Sequence, residues 1–125
     1  LPIEPAPRAR VEQWIDWQAV ELNRAWGDAF TALVRNNPDG LDTTQIAAAV
    51  QVWNDKMGIL EQQLSKTCAY VAGDEFTLAD ILIGLSVHRW QVTPMERPPY
   101  PAIAAYYQRL SQHAGFKVFA LDGHN

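Results

Sequence analysis

Residues 77 to 90, TLADILIGLSVHRW, place the strongest limit on the fold. They open with a helix-start signal and continue with almost no polar face. Thr77 stands where an N-cap is expected, its hydroxyl within reach of the free N–H of Asp80. Asp80, three residues on, reaches back to the N–H of Thr77, which makes a capping box. Asp is shorter than the usual Glu or Gln, so the return bond needs a tighter turn. Phe76 and Ile81 supply a hydrophobic staple across the cap. Leu78, Ile81, Leu82, Ile83, Leu85 and Val87 then point to nearly every side of the helix. A helix without a polar face belongs in the middle of a bundle. Gly84 would let a neighbour approach closely. A reactive Thr–Asp pair would need a base beside it. None stands close by, so Thr77 and Asp80 read as structural.

The rest of the chain offers helices to surround that one. From Arg8 to Arg35 there is no proline and only one glycine, Gly27, which allows one long helix. At about 100° per residue, Val11, Ile15, Leu22, Trp26, Ala29 and Leu33 share a stripe, with Gln18 and Ala25 at its edge. Arg10, Asp16, Trp17, Glu21, Asn23, Arg24 and Asp28 fall opposite. Trp17 is unusual among those charges, and Trp14 sits at the border, on the core side. NNPDG (36–40) is a turn. Asp42 with Gln45 forms a second capping box. Behind it Ile46, Val50, Trp53, Met57, Leu60 and Leu64 step by alternate fours and threes, a seam for antiparallel packing on the first helix. VTPMERPPYP (92–101) is a proline-rich loop. Ile103, Tyr106, Tyr107 and Leu110 mark a fourth helix, and Phe116, Val118, Phe119 and Leu121 a short terminal helix or turn. Strand patterns are absent. The expected class is all-α, a bundle of about five helices with a buried central helix.

Composition narrows function by exclusion. The 125 residues suffice for one core, and the net charge of −4 argues against non-specific nucleic-acid binding. Cys68 is the only cysteine, so no internal disulfide can form. No apolar run is long enough to suggest a membrane span. His88, His113 and His124 have no metal-ligand spacing, so no metal is expected, and they read as surface or capping residues. Tyr106 and Tyr107 read as packing aromatics. The opening LPIEPAPRAR is proline-rich and linker-like. The expected division is a linker remnant over 1–7 and one helical domain over 8–125.

Three stretches carry a family likeness. RARVEQWIDWQAVEL (8–22), YVAGDEFTLADILIG (70–84) and HRWQVTPMERPPYPAIAAYYQRL (88–110) together resemble the C-terminal helical domain of bacterial cytosolic glutathione S-transferases. The resemblance covers almost the whole chain and implies a cytoplasmic homodimer. It also implies a preceding thioredoxin-like domain that binds glutathione and activates its thiol, machinery not visible in these residues. Glutathione is then the co-substrate of the parent, this chain holding no cofactor of its own. The helical domain shapes the site for small hydrophobic electrophiles and contributes to the dimer contact. The parent would conjugate glutathione thiolate to an electrophile, while the chain alone would lack catalysis. The alternative is a non-catalytic interaction module of the same shape.

The resemblance also implies site residues. Asp16, Glu21, Asn23 and Arg24 match positions that contact glutathione in the bacterial beta class. Glu21 keeps a Glu thought to meet the glutathione amino group across the dimer. Asp16 stands for Asn, Asn23 for His and Arg24 for Lys. The lost His removes a titratable group, while Arg24 keeps a charge suited to a carboxylate. Their plainer reading is a set of exposed pairs among Glu21, Arg24 and Asp28. Trp17 and Trp90 are the candidates for the electrophile pocket, and both would be left exposed on a face that the preceding domain normally covers. Trp53 falls in the seam and reads as core.

Overall fold

The computed structural model describes residues 5–116, and these are helical apart from turns and loops. Helix α1 spans Pro5–Trp17, and a five-residue π segment, Gln18–Leu22, joins it to α2, Asn23–Val34. Helix α3 runs Thr43–Thr67, α4 Leu78–Val92, α5 Pro101–Ser111, and α6 is a single turn, Ala114–Phe116. With α1, the π segment and α2 counted as one rod, this is the expected all-α bundle. Helix α1 starts earlier than Arg8, because proline fits the first turn of a helix, where its missing N–H costs nothing. Val118, Phe119, Leu121 and His124 lie outside the described residues.

The long first rod is not one regular helix. A π turn inserts an extra residue, which rotates the downstream half by about 100°. The two halves accordingly meet different partners. Helix α1 packs on α4, and α2 packs on α3. Val11 and Trp14 are buried before the insertion, and Leu22, Ala25 and Ala29 after it. Trp17, expected on the charged side, is instead half-buried against the core. Its ring meets Trp14 edge-on at 5.3 Å.

Helix α3 keeps to its seam closely. Trp53, Met57, Leu60 and Leu64 are buried, with Ile46 and Val50 half-buried. The turn before it uses Asn36 and Asn37 in the left-handed region, at φ 64° and 52°. Asparagine tolerates that region because its short amide bonds locally. Here Asn37 exchanges hydrogen bonds with the backbone of Leu41 at 2.8 and 3.0 Å. The Asp42–Gln45 capping box is formed in both directions, at 2.8 and 2.9 Å. At the far end of α3, Glu61 accepts the N–H groups of Ala102 and Ile103 at 3.0 and 2.9 Å. A carboxylate thereby satisfies the free donors that open α5.

Helix α4 lies against α1, the π segment, α5 and α6. Ala79, Asp80, Ile83, Gly84, Ser86, Val87 and Trp90 are buried. Gly84 does admit a neighbour: a Cβ there would stand 2.8 Å from Leu110 Cδ1 and closer still to the Phe116 ring. The other flank is more open. Leu78 and Val92 are exposed and Leu82 and Leu85 half-buried. The capping box holds, with the Thr77 N–H donating to Asp80 Oδ2 at 2.9 Å and the Thr77 hydroxyl 3.4 Å from the same oxygen.

Asp80 does more than cap. Its Oδ1 also accepts the Val71 N–H at 2.9 Å and the Tyr106 hydroxyl at 2.6 Å. One carboxylate therefore pins the 68–77 connector, the start of α4 and the middle of α5. Burial raises its pKa above the ordinary carboxylate value, against the opposing pull of those hydrogen bonds. Tyr106, read from the sequence as a packing ring, is fully buried and also a donor. Its pKa is pushed well up by burial and by the Asp80 charge.

Candidate functional site

The glutathione candidates occupy the π segment and its two flanks, and they do not form one cluster. Asp16 and Arg24 are exposed. Glu21 pairs with Lys56 of α3 at 3.3 Å. The local pairs expected among Glu21, Arg24 and Asp28 are not formed among the described residues, because the π turn aims Glu21 at α3. Asn23 faces along its own rod. Its Oδ1 accepts from Gln18 Nε2 and from Trp26 Nε1, both at 3.0 Å. Glu21, Arg24 and Lys56, with Val20, Ala25 and Val52, line an open hollow of about 240 Å³ between the rod and α3. Apolar side chains share its rim with charges of both signs. Such a rim suits a zwitterionic ligand, the carboxylate taking an ammonium and the cations a carboxylate. Lys56 is the member that sequence reasoning misses. It lies 35 positions from Glu21, and no local pattern couples them.

Trp17 and Trp90 stand apart. The Trp17 Nε1 is sealed from solvent and has no hydrogen-bond partner among the described residues. Trp90 is 3% exposed, so the expectation that the isolated chain would bare it does not hold. Asn54 is the reason. Its Oδ1 takes the Trp90 Nε1–H at 2.9 Å, and its Nδ2 donates to the Glu96 carbonyl at 3.1 Å. The Tyr100 hydroxyl donates to the Asn54 carbonyl at 3.0 Å, and the Tyr100 ring stacks on Trp90 at 6.0 Å. Arg97 closes the loop onto the carbonyls of Trp90 and Thr93, at 3.2 and 2.8 Å. The proline-rich loop is thus fastened over Trp90. The outer side of the loop, with Trp90, Arg97 and Tyr100, borders an open hollow of about 310 Å³.

The histidines are not plain surface residues. His88 Nδ1 lies 2.6 Å from the Tyr107 hydroxyl, and His113 stacks on Phe76 at 3.8 Å. No group of three or more His, Cys, Asp or Glu side chains suited to a metal ion occurs among the described residues. No helix among them is long and apolar enough to cross a membrane.

This fold has known counterparts. Residues 28–114 match the family described as "Glutathione S-transferase, C-terminal domain". The chain is 30% identical over 108 residues to Glutathione S-transferase GstB of Escherichia coli K12, covering 86% of this chain and 51% of that protein. It superposes on the glutathione-bound theta class glutathione S-transferase of Xanthomonas axonopodis pv. citri with a TM-score of 0.88 and 27% identity, over 99% of this chain and 65% of that one. Glutathione transferase F7 of Populus trichocarpa gives a TM-score of 0.73 at 25% identity, over 92% of this chain and 55% of that one. The fold and these matches define an all-helical domain of the kind that forms the C-terminal part of glutathione S-transferases. The chain belongs to the glutathione S-transferase C-terminal domain family. It spans about half the length of the curated relatives it matches.

Proposed function

We propose that the chain is the electrophile-site and dimer-contact half of an enzyme that conjugates glutathione to small electrophiles. The match of nearly the entire chain to a glutathione-bound transferase supports the reading most directly. The partner half is a thioredoxin-like domain, which binds the tripeptide and holds its thiol as thiolate, the nucleophilic form. The thiolate attacks an electrophilic carbon, a C–S bond forms, and the leaving group departs with the bonding pair. The assembly is a cytoplasmic homodimer in this reading.

Within it, Glu21 takes the glutathione ammonium of the partner subunit and Arg24 a carboxylate, with Asp16 and Asn23 beside them. Lys56 holds the Glu21 carboxylate in place. Trp17 and Trp90 contribute apolar wall on the electrophile side, Trp90 through the hollow that it shares with Tyr100.

The test is conjugation of glutathione to 1-chloro-2,4-dinitrobenzene by the gene product that contains these residues. The expected result is turnover, with Glu21→Gln raising the glutathione KM about tenfold for one lost charge-assisted contact. An unchanged KM would remove Glu21 from the site. Absence of turnover together with failure to bind immobilised glutathione would leave an interaction module instead.

A further inference from the structure

Helix α3 carries two residues that suit a helix interior poorly, four positions apart. Asn54 follows Trp53, just off the seam, and asparagine competes with its own backbone for hydrogen bonds. Gly58 comes one turn later, and in a helix interior only proline is less favourable than glycine. Both meet the same group. The Tyr100 hydroxyl donates to the Asn54 carbonyl at 3.0 Å, and a Cβ at Gly58 would stand 3.0 Å from that hydroxyl. Gly58 thus leaves the room through which Tyr100 reaches the backbone of α3.

The Asn54 amide is buried and bonded at both ends, Oδ1 to the Trp90 Nε1–H at 2.9 Å and Nδ2 to the Glu96 carbonyl at 3.1 Å. Burial of an indole does not by itself demand such a partner in this fold. Trp17 Nε1 and Trp53 Nε1 are both sealed from solvent without a hydrogen-bond partner among the described residues. An unpaired indole N–H is therefore tolerated at Trp53, directly beside Asn54, and a leucine would fill the Asn54 site with no polar group to satisfy. What the amide adds is direction. Its hydrogen bond fixes where the Trp90 N–H points, Tyr100 stacks on the ring at 6.0 Å and 17°, and the Arg97 guanidinium lies 5.6 Å from the ring centroid. Glu96 and Tyr100 are themselves tied to Asn54, so one residue of α3 sets both the Trp90 ring and the loop fastened over it.

We propose that Asn54 is a positioning residue for the electrophile, acting through Trp90 and Tyr100 and touching neither substrate. The proposal rests on the transferase reading, in which Trp90 and Tyr100 border the hollow on the electrophile side. A wall held to a fraction of an ångström favours one placement of a bound molecule, and a loosened wall does not. Glutathione is held elsewhere in that reading, by the thioredoxin-like half, Glu21 and Arg24. The effect of Asn54 is therefore one-sided: it acts on the electrophile KM and leaves the glutathione KM alone.

Steady-state conjugation of glutathione to 1-chloro-2,4-dinitrobenzene by the gene product that contains these residues tests it, each substrate being varied in turn. Asn54→Leu should raise the KM for 1-chloro-2,4-dinitrobenzene about tenfold, as loss of one orienting hydrogen bond implies, with the glutathione KM unchanged. Tyr100→Phe keeps the stacked ring and removes only the hydroxyl, so it should raise the same KM by a smaller factor, about threefold. Gly58→Ala crowds that hydroxyl and should act in the same direction. Tyr100→Phe and Gly58→Ala decide the matter even if Asn54→Leu fails to fold. Unchanged electrophile KM in the folded variants, or an equal rise for both substrates, would overturn the proposal while the transferase reading stands. A lower kcat with both KM values kept marks a purely structural role and overturns it as well. A native product without turnover removes the transferase reading, and this proposal with it.

Discussion

At the scale of single residues, Asp80 carries the most consequence. Its carboxylate meets two backbone N–H groups and the Thr77 hydroxyl from the 68–77 connector, and the Tyr106 hydroxyl from α5. Asp80→Ala leaves those donors buried and unpaired, at an expected cost of about 3 kcal/mol or more. Tyr106→Phe removes one bond to a charged acceptor and should cost about 2 kcal/mol. Urea unfolding of both variants measures the two losses. The pH dependence has a definite sign. Folding raises the Asp80 pKa, so the folded chain holds this proton more tightly than the unfolded chain. The group's contribution is therefore fullest below the unfolded value of about 3.9 and declines as pH rises through the folded value. The stability of the native chain relative to Asp80→Asn should fall as pH rises above about 4. A flat or rising difference across matched urea titrations would contradict this account of the burial.

At the scale of elements, caps and seams are legible in the chain, and departures from regular helix are not. Both capping boxes can be read because they depend on residues three apart. The α3 seam can be read because Ile46 to Leu64 keep one period. The π segment cannot, since an inserted residue leaves no mark in composition and only shifts the phase. A regular helical phase therefore puts Trp17 on the wrong side. Trp90 and Asn54, 36 positions apart, are joined only by the fold, and so are Glu21 and Lys56. Gly84 is legible as a contact, but its partner Phe116 is not. That contact yields a prediction about α4. Gly84→Ala gains about 1 kcal/mol of helix propensity. It also drives a methyl group into Phe116 and Leu110, and overpacking costs about 1–3 kcal/mol. A net loss is expected in the native background. In Phe116→Ala the nearest obstruction is gone, so the same substitution should cost less or stabilise. A double-mutant cycle by thermal unfolding reads the coupling directly. Additive effects would mean that α6 does not press on α4.

At the scale of the whole molecule, the surface matters as much as the core. Val20, Val52 and Ile59 are 57%, 49% and 41% exposed. Val52 and Ile59 lie two turns apart on one face of α3, and Val20 faces Val52 across the hollow that holds Glu21 and Arg24. An apolar strip beside a charged rim is the composition of a protein contact, where the strip supplies burial and the charges set register. The proposed dimer places a second copy here, which would bring two sets of Glu21, Arg24 and Lys56 near one another. The chain alone should then self-associate through this strip, not through Trp90, which Asn54 holds inside. In sedimentation at rising concentration, the apparent mass of the native chain should climb from monomer toward dimer. Val52→Glu puts a carboxylate into the strip beside Glu21, and like charges in a contact oppose association. That variant should remain monomeric over the same range with an unchanged melting temperature, because Val52 is already exposed. If Val52→Glu associates as the native chain does, the contact lies elsewhere. The open flank of α4 at Leu78 and Val92 is then the surface to alter next.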